Sequence, residues 1–83
     1  MKQTTVVHIQ DMITARMRLE NPFIERIGVH HEVNGWCCHH VWLHKCAPRL
    51  SGAKIGAILA KANKLLAELL QRFEIEDDQR AAG

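Results

Sequence analysis

An α+β fold follows from three features of this 83-residue chain. Asn34-Gly35 is a two-residue hairpin-turn signal between two β-rich runs. Residues 52–73 repeat apolar side chains with the period of an amphipathic helix. Thr4-Thr-Val-Val-His-Ile-Gln10 is rich in β-branched residues and reads as a strand. Together they predict a three-stranded antiparallel meander, or a β-hairpin plus a short N-terminal helix, packed by one long C-terminal amphipathic helix. Residues 1–73 then form a single small α+β domain. Residues 74–83, with four acids and one arginine, form an acidic, flexible tail.

The N-terminal stretch is readable in two ways. Ile13, Ala15, Met17 and Leu19 alternate with Thr14, Arg16 and Arg18, the period of a half-buried strand. The same residues fit a short helix capped by Asp11. The alternation carries on from the first run, which favours the strand. Asn21-Pro22 ends either element, because Pro22 disfavours helical geometry at Asn21.

With Asn34 and Gly35 as the two central turn residues, Val33 faces Trp36, Glu32 faces Cys37, His31 faces Cys38, His30 faces His39 and Val29 faces His40. One face then carries Ile27, Val29, His31, Val33, Trp36, Cys38, His40 and Trp42, and is assigned to the core. The other carries Arg26, Gly28, His30, Glu32, Cys37, His39, Val41, Leu43 and Lys45. A slip of one residue would exchange the faces.

Ser51 is placed to cap the helix, with Leu50 and Ile55 as a hydrophobic staple. Ile55, Ile58, Leu59, Ala62, Leu65, Leu66, Leu69, Leu70 and Phe73 fall in one apolar sector. They complete a core with Val7, Ile9, Ile13, Met17 and the hairpin's inward face. Gly56, Ala60, Asn63 and Ala67 make a flanking stripe of small residues, a candidate contact face for a partner or for a second copy in a homodimer.

Net charge is +2, with ten Lys and Arg against five Asp and Glu in residues 1–73. That is a modest basic balance, compatible with an anionic partner and ordinary for a soluble protein. No apolar run is long enough to span a membrane, and no secretory leader is evident. Three cysteines, an odd number, argue against a disulfide framework and for a reducing, cytoplasmic setting.

Residues 26–46 hold five of the six histidines, both tryptophans and all three cysteines. The hairpin's outward face brings His30, Glu32, Cys37 and His39 together, so His30, Cys37 and His39 are candidate zinc ligands. The spacing matches no zinc template, and there is no second ligand pair. Cys37 near Glu32 and His39 lacks an oxyanion site and a cleft, so an enzyme is not expected. Arg16, Arg18, Arg26, Lys45 and Arg49 would line or flank the meander's solvent face, which supports a nucleic-acid binder as the alternative. With both tryptophans turned inward, no stacking platform accompanies that patch. The expected function is a non-enzymatic module that occupies a surface of a larger protein, as an inhibitor or adaptor. Its candidate contacts are Arg16, Arg18, Arg26, His30, Glu32, His39, Lys45 and Arg49. An unperturbed imidazole gains charge below neutral pH, so a pH switch of such a contact is expected at His30, His39 and His44.

Overall fold

A computed structural model describes residues 2–33 and 35–76. The chain is α+β, in the order β1 (Lys2–Thr5), α1 (Val6–Glu20), β2 (Ile24–Glu32), β3 (Gly35–Leu43), α2 (Gly52–Leu70) and β4 (Phe73–Glu76). The strands form two separate ribbons. β2 and β3 make the antiparallel hairpin, while β1 and β4 pair in parallel, from Lys2 opposite Phe73 to Thr5 opposite Glu76.

Of the two expected architectures, the hairpin with an N-terminal helix is the one present, and the meander is corrected. Residues 6–20 are helix, not strand, with Thr5 as N-cap: its Oγ1 accepts a hydrogen bond from the His8 amide at 3.2 Å. Packing overrides the β-branched composition here, because a helix brings Ile9, Ile13 and Met17 onto one face, where all three are buried. Asn21 ends the helix by donating its amide to the Met17 carbonyl. The second helix begins where expected, with Ser51 Oγ accepting from the Lys54 amide. It stops at Leu70, so it is not C-terminal, and Phe73 belongs to β4. Residues 74–76 are strand, and the remainder of the expected tail lies outside the described residues.

The hairpin register is also shifted. Glu32 pairs with Gly35, His31 with Trp36, His30 with Cys37 and Val29 with Cys38. Gly35 has φ +118°, a backbone state open to glycine and strained for other residues. The pairing then breaks register, so that Gly28 meets His40, Ile27 meets Val41, Arg26 meets Trp42 and Ile24 meets Leu43. His39 and Glu25 are the extra residues of these irregularities. The reason is apolar burial. Ile24, Ile27 and Val29 are not at strict two-residue spacing, and neither are Cys38, Val41 and Leu43. The bulges turn all six toward the helices as the rungs Ile24–Leu43, Ile27–Val41 and Val29–Cys38. Val33, expected in the core, is fully exposed, as is most of Val7. Trp36 packs against the core, whereas Trp42 does not.

A two-stranded ribbon leaves two edges of unpaired backbone groups. Both are closed by helix side chains. On β2, Thr14 Oγ1 accepts from the Ile27 amide at 3.1 Å, and Gln10 Oε1 accepts from the Val29 amide at 2.8 Å. On β3, the Asn63 amide spans one residue: its Oδ1 accepts from the Cys38 N–H at 2.7 Å and its Nδ2 donates to the Cys38 carbonyl at 2.9 Å. Asn63 therefore belongs to the fold, not to a free small-residue flank. Gly56, Ala60 and Ala67 are exposed.

Burial, and secondarily the neighbouring Cys37, push the Cys38 thiol up to about 11. An acid held above its unfolded value stabilises the fold as long as it stays protonated. Stability should therefore be full below about pH 9 and fall as pH rises toward about 11, by on the order of 2–3 kcal/mol. Cys38→Ala should lose that slope, read as the difference between the two urea midpoints across this range.

Candidate functional site

The bulged register sets a group of side chains on the hairpin's outer face, opposite its apolar rungs. Arg26, Gly28, His30 and Glu32 come from β2, and Cys37, His39, His40 and Trp42 from β3. Arg26, His30, Glu32, His39 and His40 are exposed, and Cys37 and Trp42 are half-buried. The bulge at His39 exchanges the two halves of β3. Val41 and Leu43, expected outside, face the core, and Trp42 and His40, expected inside, face out.

Trp42 is the centre of this face. A Cβ at Gly28 would stand 2.8 Å from Trp42 Cζ3 and 3.0 Å from Cη2, so glycine is what lets the indole lie against the strand. The Arg26 guanidinium carbon is 4.1 Å from the indole centroid, a cation–π contact, and the His40 ring is 4.2 Å away and tilted. Beyond Gly28, the His30 and His39 rings meet edge to face at 4.4 Å. Glu32 Oε1 lies 4.0 Å from His39 Nε2. Where the hairpin meets α1, Trp42 and Arg26 border a hollow of about 540 Å³ with Asp11, Thr14, Ala15, Arg18 and Glu25.

Of the remaining candidates, Arg18 borders the same hollow as Trp42 and Arg26, and the others lie elsewhere. Arg18 donates from Nε to the Ile24 carbonyl at 2.8 Å and contacts His44 Nε2 at 3.3 Å, which anchors α1 to the base of the hairpin. Arg16 lines a different groove, with Met12 and Leu65 between the helices. The two arginines therefore do not share a sheet face with Arg26, because their segment is helical. Lys45 and Arg49 are exposed in the loop between β3 and α2.

Burial and the nearby Glu32 carboxylate push the Cys37 thiol above its ordinary value. It is then the protonated thiol at neutral pH, the weak form for both nucleophilic attack and metal ligation. Among the described residues, no group of three or more His, Cys, Asp and Glu is arranged to hold a metal ion. His30 and His39 are close neighbours whose rings meet edge to face. No described helix is long and apolar enough to cross a membrane.

Comparison with protein-family models, curated proteins and solved structures gave no significant match. The geometry therefore carries the functional argument. The sequence pattern did not reveal Trp42, His40 or the edge-closing Gln10, Thr14 and Asn63. The one available signal for Trp42 was Gly28, a glycine inside a strand, which commonly marks a bulge or a close approach.

Proposed function

We propose that this protein is a non-enzymatic binding module that seats the outer face of its hairpin on a larger protein partner, as an inhibitor or adaptor in the cytoplasm. The observation that carries this reading is the stack of Arg26, Trp42 and His40 on an otherwise exposed sheet face. Tryptophan and arginine are the residue types that most often dominate interface energy. Here they are held in place before a partner arrives, which lowers the entropic cost of association. Adding a strand from the partner is disfavoured, because Gln10, Thr14 and Asn63 already occupy edge groups of both strands. Contact is then through the face.

A nucleic-acid reading gains one supporting feature, an outward Trp42 beside Arg26. The hollow they border matches Arg18 and Arg26 with Asp11 and Glu25, so its fixed charge is balanced and offers no net pull on a phosphate chain, and the protein partner stands first.

The test is capture from native extract of the source cell, with nuclease, using three forms of the chain. Wild type and Ala60→Arg, altered on the α2 flank, should retain the same protein in moderate salt. Arg26→Glu combined with His40→Glu should lose it while keeping its far-ultraviolet circular dichroism. Loss in Ala60→Arg alone would move the contact to α2 and sink the hairpin reading. Sensitivity to nuclease and a steep decline with salt would favour nucleic acid.

A further inference from the structure

A second hollow, of about 530 Å³, opens between α1 and α2. Residues 12, 13 and 16 of α1 and 65, 68 and 69 of α2 recur at helical spacing, so each helix lends one stripe to it. Most of its lining is apolar: Ile13 is fully buried, and Met12, Leu65 and Leu69 are half-buried. Two exposed arginines complete it, one from each side. Arg16 lies one turn beyond Met12 on α1. Arg72 lies just past α2, where its amide donates to the Leu69 carbonyl at 2.9 Å. Glu68 is the one acid in the lining among the described residues. We propose that this hollow is a binding site for a small anion with an apolar body, an alkyl carboxylate. Its chain lies on Met12, Leu65 and Leu69, and its headgroup is held by Arg16 and Arg72.

Charge and apolar extent choose this occupant. Two guanidiniums against one carboxylate leave the lining with one net positive charge, unlike the balanced hollow beside Trp42. Among the described residues the ion pairs are Lys61–Glu20 and His39–Glu32, and Arg18 is the arginine whose side chain is hydrogen-bonded. Arg16 and Arg72 therefore keep their donors for a ligand. A guanidinium fork matches a carboxylate in two parallel bonds. A doubly charged phosphate meets Glu68 with more repulsion, a cation is repelled by both arginines, and a neutral molecule leaves them without a partner. The exposed large apolar residues, Val7, Leu19 and Val33, lie outside the lining, so the apolar surface does not spread into a protein-sized patch. The volume falls in the range of about 300–1,000 Å³ usual for small-molecule sites. Aliphatic side chains give a nucleic-acid base no platform to stack on. None of these residues belongs to the Arg26 and Trp42 face, so this inference stands apart from the docking reading.

The probe is octanoate, titrated below its micelle range into the full chain by calorimetry, with octanol, octyltrimethylammonium and acetate as comparisons. Octanoate should bind saturably, one molecule per chain, and on the order of tenfold more tightly than octanol, the worth of one charge-assisted hydrogen bond. Acetate, which lacks the chain, and the ammonium, which has the wrong charge, should bind more weakly still. In NMR spectra the octanoate chain protons should show Overhauser contacts to the methyl groups of Met12, Leu65 and Leu69. Arg16→Gln and, from the other side, Arg72→Gln should each bring octanoate toward the affinity of octanol. Lys64→Gln, exposed on α2 outside the lining, should bind as wild type does. Far-ultraviolet circular dichroism shows that each variant is folded. Equal affinity for octanoate and octanol, or tighter binding of the ammonium, overturns the anionic headgroup, and so does unchanged affinity in both arginine variants. No saturable octanoate binding, or Overhauser contacts to Trp42 in place of Leu65 and Leu69, overturns the site.

Discussion

Asn63→Leu should lower stability by about 2–4 kcal/mol, although residue 63 is only half-buried and leucine is the better helix former. The reason is the strand it serves. Cys38 is 3% exposed, and its N–H and C=O point at the edge of a ribbon with no further strand beyond it among the described residues. The Asn63 amide satisfies both groups, at 2.7 and 2.9 Å, and donates a third bond to the Leu59 carbonyl at 2.9 Å. Removing it strands a donor and an acceptor, each costing about 1–3 kcal/mol when buried and unpaired. Asn63→Asp separates the two roles. The carboxylate still accepts from the Cys38 amide but faces two carbonyls with no proton to give. That variant should be destabilised at neutral pH and recover in part as pH falls and its carboxyl gains a donor. Urea unfolding with an unchanged slope would report these losses, and a deficit in Asn63→Leu under about 0.5 kcal/mol would show that the edge is closed by something else. The uncapped edge should also promote self-association, visible in sedimentation at raised concentration.

The same amide shows where sequence reasoning succeeds and where it stops. The α2 helix was legible because its signals are local: Ser51 caps it, and its apolar residues repeat at helical spacing. The choice between flank and core for Asn63 was not legible, since it depends on which strand edge lies opposite. α1 failed for a related reason. Residues 5–10 have strand composition, and their helical stripe is evident only once Ile9, Ile13 and Met17 have a surface to cover. The hairpin was legible in existence but not in register. Everything from Arg26 to Cys37 that was expected on the outer face is there. Past Cys37 one extra residue, His39, reverses inside and outside. Local turn chemistry proposed one alignment, and the burial of three apolar rungs selected another.

That competition yields the second large effect. Ile27→Ala should cost about 2–5 kcal/mol, while Val33→Ala should be neutral within about 0.5 kcal/mol. Ile27 is 0% exposed and pairs with Val41 in the middle rung; Val33 is 102% exposed at the hairpin tip. A register centred on Asn34-Gly35 would bury Val33 opposite Trp36 and make both truncations harmful. In the bulged register, Ile27 opens a cavity among residues such as Ile13, Met17 and Leu66, which are themselves fixed in the core. In a chain this short such a loss is a large share of total stability, so Ile27→Ala should be partly unfolded well below the wild-type melting temperature. A Val33→Ala loss close to that of Ile27→Ala would reject the turn register that pairs Glu32 with Gly35 and leaves Val33 outside the core.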